Sequence, residues 1–230
     1  MPKHAVFLIG ENEYKSERTM PPIAHELIQK RGMSVSVLTA KQGLKSLPGM
    51  GALDDADLLV AYLRFTQLPG EQLEKLRAYL DSCRPIVGLR TSTHAFRYPG
   101  DSEHVEWNNF GAEAFGTNWK FHYGGGSNSI VYPVPGAEND PLLKDVGLPL
   151  RVRSWLYYVH PLPDSCKPVL LGSSVGPSGR EEREVNPVAW TKTDADRRVF
   201  YTSLGHPEEF ELPSFRQLLF NGIDWALNGG

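Results

Sequence analysis

Residues 85–99 read PIVGLRTSTHAFRYP, an apolar run that breaks into a polar turn at Arg90. Pro85–Leu89 is apolar on both faces, as a strand inside a parallel sheet must be, because helices cover both sides of such a sheet. Thr91, Ser92, Thr93 and His94 follow at once. Many α/β enzymes hold a nucleophile where a buried strand ends in this way. Here the place is taken by an arginine.

Back from Pro85 the chain alternates. Leu73, Leu76 and Leu80 recur at i, i+3 and i+7, which predicts a helix over Pro69–Ser82 packed on a sheet. Asp57–Leu63 and Ser34–Leu38 read as strands. A helix over Pro21–Arg31 has Thr19 as its N-cap, prolines in its first turn and Gly32 as its stop. His4–Ile9 is the first strand. This β-α-β-β-α-β order predicts an α/β fold with a doubly wound, mostly parallel sheet. Forward from Pro99 the pattern is weaker, with a helix near Phe110–Phe115. Strand-like runs follow in RVRSWLYYVH, PVLLGS, PVAWTK and RVFYTSL, which suit antiparallel hairpins added to one edge in the C-terminal half. A helix over Ser214–Asn228 closes the chain. With no repeat and no linker, residues 1–230 read as a single domain.

Composition narrows the function classes. A net charge of −3 gives no basic footprint, so neither nucleic acid nor an anionic membrane is an expected partner. No apolar run approaches the roughly 18 residues of a membrane span. The opening MPKHAVFLIG has too short an apolar run for a secretory signal. The chain reads as cytoplasmic as it stands, or as exported if a leader has been trimmed. Cys83 and Cys166 form no metal or redox spacing, and Cys83 falls on the buried phase of the second helix.

In an open parallel sheet the ligand crevice lies beyond the carboxyl ends of the strands. Three polar loops meet that condition: Gly10–Met20, Arg90–Tyr98 and Gly205–Phe210. In GHPEEF, His206 stands as a general base, with Glu208 placed to orient its ring. Glu11, Glu13 and Tyr14 offer groups for sugar hydroxyls or a cation. Thr91 and Ser92 either bind an anion beside Arg90 or cap a short helix. Two motifs are decoys. GSSVG (172–176) has the G-x-S-x-G spacing but is followed by proline and glycine, not by an apolar helix. YGGGSN (123–128) lacks the Lys-Ser/Thr ending of a phosphate loop and reads as a flexible loop. His94, His104, His122, His160 and His206 are scattered without a metal spacing. No cofactor is predicted, and a divalent metal held by residues distant in sequence stays open.

Four segments carry a resemblance: GENEYKSERTMPPIA, PIVGLRTSTHAF, WNNFGAEAFGTNWKFHYG and the ending PVAWTKTDADRRVFYTSLGHPEEFELPSFRQLLFNGIDWAL. Together they resemble the ThuA-like family, associated with trehalose utilisation, within the class I glutamine amidotransferase-like superfamily. The resemblance implies a flavodoxin-like fold. It lays Gly88, Leu89 and Arg90 onto the start of the amidotransferase G-x-C-x-G elbow. Arg90 then stands in the cysteine's place, Ser92 in the second glycine's, and His206 where the base would be. An arginine forms no thioester, so glutaminase activity is not expected. The resemblance further implies a role with trehalose or an oxidised (keto) disaccharide, as an isomerase, lyase or hydrolase. Arg90 would then stabilise an enolate oxygen, and His206, His94 or Glu13 would move the proton. Trp107, Trp119, Tyr123 and Trp155 are candidates to stack on sugar rings, and His122 matches a histidine-glycine turn of the family. The competing readings are a non-catalytic module that holds a ligand or partner and a metal-dependent hydrolase. The expected partner is a small-molecule carbohydrate, and an edge hairpin would serve a homodimer.

Overall fold

The computed structural model describes residues 2–194 and 196–229. Among the described residues, eleven strands and four α-helices form in the order β1 (His4–Gly10), α1 (Ser16–Arg31), β2 (Ser34–Thr39), β3 (Leu58–Leu63), α2 (Gly70–Asp81), β4 (Ile86–Leu89), α3 (Phe110–Phe115), β5 (Phe121–His122), β6 (Asn128–Pro133), β7 (Leu150–Val152), β8 (Tyr157–Tyr158), β9 (Cys166–Val175), β10 (Glu181–Asp194), β11 (Arg197–Thr202) and α4 (Pro213–Asn228). Nine strands make one sheet in the order β2-β1-β3-β4-β11-β10-β9-β6-β7. The first five in that order run parallel, which is the flavodoxin-like arrangement. β10, β9, β6 and β7 continue it in antiparallel pairing. The hairpins expected at one edge are therefore there.

Alternation along the strands divides the core into two layers. Ala5, Phe7 and Ile9 of β1 face the layer built with Ile23 and Leu27 of α1 and Phe215, Leu218, Leu219 and Ile223 of α4. Val6 and Leu8 face the opposite layer, with Leu73 and Leu76 of α2 and Phe110 and Phe115 around α3. Burying each such side chain stabilises the fold by about 1.5–3 kcal/mol. Two glycines let these layers close. A Cβ on Gly88 would lie 2.3 Å from the Phe115 ring, and one on Gly222 would lie 2.2 Å from Phe200.

Some boundaries differ from the sequence reading. Helix α1 starts at Ser16, not Pro21. Lys15 takes a left-handed conformation (φ 56°) and turns the chain, and the Glu11 carboxylate accepts the Ser16 N–H at 2.6 Å. Thr19, read as the N-cap, therefore lies inside the helix, and Pro21 and Pro22 fall in its interior. Cys83 follows the end of α2 in a left-handed turn and is half-buried, so it is not on a buried helical face. The run 151–160 is two short strands, not one. GGG at 124–126 is the turn from β5 into β6, and β6 itself had no clear signal. GSSVG lies along β9 and its end, paired to β6 and β10, so the serine is not on an elbow.

Candidate functional site

Four segments converge at the carboxyl ends of the parallel strands. β4 ends at Leu89, and Arg90 adopts φ 41° before a turn of 3-10 helix over Arg90–His94. A non-glycine residue there is strained and holds only where its surroundings fix it. Those surroundings are explicit. The hydroxyl of Tyr201 donates to the Arg90 carbonyl. Ser92 donates to the Ala61 carbonyl at 2.8 Å and accepts from the Leu63 N–H at 3.2 Å, which ties the turn to β3. So the hydroxyl of Ser92 holds the turn in place, and neither it nor Thr91 faces the pocket.

The Arg90 side chain is 1% exposed. Its Nη1 donates to the Ser203 carbonyl at 2.8 Å and its Nη2 to the Tyr14 hydroxyl at 3.0 Å. The guanidinium lies between the rings of Tyr14 (4.3 Å) and Tyr157 (4.8 Å). Its Nε has no hydrogen-bond partner among the described residues. Burial works against the charge, but Tyr157, Tyr14, Tyr62 and the Glu209 carboxylate raise its pKa, and it stays a cation. Burial in turn raises the Tyr14 pKa against the pull of Arg90.

The chain after β11 supplies the other wall. Gly205 has φ 139°, and a Cβ there would lie 3.1 Å from the Tyr62 hydroxyl, which donates to the Gly205 carbonyl at 2.6 Å. His206 then caps a 3-10 turn over Pro207–Glu211. The Glu208 N–H donates to His206 Nδ1 at 3.3 Å, which assigns the ring proton of the neutral form to Nε2. Burial lowers the His206 pKa, aided by Arg90 and Arg153 and opposed by Glu209 and Glu208. The ring is therefore neutral near pH 7 and presents an N–H, a donor where the sequence suggested a base.

Glu209, which the sequence reading passed over, is the residue that holds this wall. It is fully buried. Its carboxylate accepts the Ser154 N–H (2.6 Å), the Ser154 hydroxyl (2.8 Å), the Gly205 N–H (2.6 Å) and the His206 N–H (3.1 Å). One carboxylate thus joins the turn after β11 to the segment between β7 and β8.

Glu13, Tyr14, Arg90, Arg153, Trp155 and His206 line one pocket of about 160 Å³. Ligand pockets commonly run to roughly 300–1,000 Å³, so this one suits a single ring or a smaller group. Glu13 is exposed and pairs with Arg64 at 2.9 Å. Arg153 and Trp155 come from the stretch read as a continuous strand. Trp155 is one of the stacking candidates of the sequence, whereas nothing in the sequence singles out Arg153.

The remaining predicted residues lie elsewhere. Glu11 is buried, and its carboxylate accepts the N–H groups of Glu13, Tyr14 and Ser16, so it shapes the loop that presents Glu13. His94 sits behind the pocket against Phe65 (5.1 Å) and Trp119 (5.0 Å). Burial first, then Arg64 and Arg90, lower its pKa to about 3, so it is neutral. His122 packs on Trp155 at 4.7 Å, one ring behind the pocket wall. Glu208 is exposed, and it is its backbone N–H that meets His206. Trp107 is away from the site, buried against Phe96 and Phe110 with the Arg77 guanidinium over its ring at 4.7 Å. Among the described residues, no three His, Cys, Asp or Glu side chains gather as a metal site.

The sequence model of the ThuA family, described as trehalose utilisation, matches residues 5–226. The chain belongs to the ThuA family. At the level of the family that carries a carbohydrate-related role. The fold is similar to that of a ThuA-like protein from Bacteroides uniformis, at 15% identity and a TM-score of 0.70, over 98% of this ThuA chain and 91% of that one. A ThuA-like protein from Parabacteroides merdae gives 16% identity and 0.68 over 100% and 91%. A carbohydrate deacetylase gives 12% identity and 0.56, over 99% of this chain and 33% of that longer one. No functionally curated protein matches the sequence.

Proposed function

We propose that this ThuA protein binds an oxidised sugar in the pocket and moves the proton on the carbon next to its ketone. The observation that carries the reading is that one small pocket gathers a carboxylate, a buried guanidinium with unused N–H groups and a neutral imidazole N–H. Glu13 takes the proton from that carbon. The C–H electron pair forms the C=C bond, and the carbonyl pair moves onto oxygen. Arg90 and the His206 Nε2–H hold that oxygen as it becomes an enolate, in a setting where preorganised donors act strongly. Return of the proton to that carbon from the opposite face epimerises the sugar; where that carbon bears a hydroxyl, passage of the hydroxyl proton to the enolate oxygen and return of the carbon-bound proton to the former carbonyl carbon move the ketone by one place and isomerise it. Trp155 offers a face for the ring. Glu13 fits the base's part better than His94, which lies behind the wall, or His206, whose Nδ1 is already an acceptor.

The test is exchange of solvent deuterium into a keto-sugar such as 3-keto-trehalose or 3-keto-glucose, followed by proton NMR. We expect loss of the signal next to the ketone. Glu13→Gln should slow it by about 100-fold or more, the usual scale for removing a general base. No exchange with the wild-type protein, or full exchange with Glu13→Gln, would overturn the reading. The first of those results favours a module that only holds its ligand.

A further inference from the structure

We infer that the sugar preferred by this pocket carries a carboxylate, that is, a uronic or other sugar acid. This rests on the proposal that the pocket binds a sugar, and it follows from the charge left unmatched there. Arg90 donates two of its five N–H groups, to the Ser203 carbonyl and the Tyr14 hydroxyl. Neither partner is an anion, and its Nε has no partner among the described residues. Arg153, at the exposed mouth, has only long contacts to the Ser127 carbonyl (3.4 Å) and Asn128 Oδ1 (3.3 Å), and among the described residues it makes no ion pair. Lining the pocket itself is the negative charge of Glu13, which Arg64 already opposes at 2.9 Å. Glu209 is buried behind the wall with its oxygens occupied by Ser154, Gly205 and His206. His206 is neutral. The pocket and its walls therefore set three guanidinium groups (Arg64, Arg90 and Arg153) against two carboxylates (Glu13 and Glu209, which supports the Arg90 charge), and among the described residues Arg153 is the one without an anionic partner.

A neutral sugar leaves that excess in place. A sugar acid removes it, because a planar carboxylate matches the guanidinium fork in shape as well as charge. Arg153 can take the carboxylate at the mouth while Arg90 meets the oxygen deeper in. One ring with its carboxylate also agrees with a pocket of about 160 Å³.

Calorimetric titration of the intact chain with glucuronate, glucuronate methyl ester, glucose and acetate tests this, with deuterium exchange into a neutral keto-sugar run alongside. We expect glucuronate to bind about tenfold or more tighter than glucose or the ester, the scale of one charge-assisted contact. Acetate should bind more weakly than glucuronate. Arg153→Gln, an exposed change, should remove the advantage of glucuronate, with the melting temperature as a control for folding. Equal affinity for glucuronate, ester and glucose would overturn the inference, as would acetate binding as tightly as glucuronate or Arg153→Gln keeping the preference. Exchange into the neutral keto-sugar beside such a null titration leaves the enolisation reading standing. No binding and no exchange removes both.

Discussion

Replacing Glu209 by alanine should be among the most damaging single changes in this chain, although the residue does not line the pocket. Its carboxylate accepts three backbone N–H groups, from Ser154, Gly205 and His206, and one hydroxyl, from Ser154. Removing it leaves buried donors without acceptors. Each such group costs about 1–3 kcal/mol, and water entering the gap recovers part of that. We therefore expect a loss of about 3–5 kcal/mol, a large share of the roughly 5–15 kcal/mol that holds a typical domain. In urea unfolding the midpoint should fall by about 1–2 M with little change in slope. Glu209→Gln keeps the volume and one acceptor oxygen, so its loss should be smaller. In a Ser154→Ala background the cost of Glu209→Ala should shrink by about the share of one bond, because the Ser154 hydroxyl is already gone while the backbone N–H of residue 154 remains. A loss below about 1 kcal/mol for Glu209→Ala would show that water or a neighbouring group takes over the four donors, and the argument for a braced wall would fail.

Two further outcomes follow from buried contacts. His94, with its pKa lowered to about 3 from an ordinary 6.5, makes no pH-dependent demand above pH 6.5, but below it the unfolded chain takes a proton that the folded one refuses. Stability should then fall by up to about 1.4 kcal/mol per pH unit as pH drops from 6.5 towards 3. His94→Phe should gain on the wild type by about 2–3 kcal/mol between pH 6.5 and 4.5 in urea unfolding, and parallel curves would refute the assignment. Gly222→Ala gains about 1 kcal/mol of helix propensity but places a Cβ 2.2 Å from the Phe200 ring, so a net loss of about 1–3 kcal/mol is expected; a raised melting temperature would contradict the packing described.

The parallel half of the fold was legible because its residues repeat with a clear period. Leu73, Leu76 and Leu80 marked α2, and Pro85–Leu89 marked β4 almost to the residue. The start of α1 was not legible, because it is set by Glu11 reaching back to the N–H of Ser16, a contact of the folded loop and not of local propensity. The placing of Glu13, Tyr14, Arg90 and His206 at one pocket followed from strand ends alone. Which of Glu208 and Glu209 turns inward did not, since both sit in the same PEEF segment and only packing against Ser154 separates them. Trp107 and Trp155 were equally indistinct, as aromatic residues whose facing depends on which sheet layer receives them.

Arg90 touches the loop after β1 through Tyr14, the end of β11 through Ser203 and β8 through Tyr157. Exchanging it for a small nucleophile would leave a void and strip a hydrogen-bond donor from the Tyr14 hydroxyl and the Ser203 carbonyl. Placing a thiol at this turn would thus require coordinated changes in several distant parts of the chain. The turn is therefore held from three sides at once, and a single substitution there loosens segments that lie far apart in the sequence.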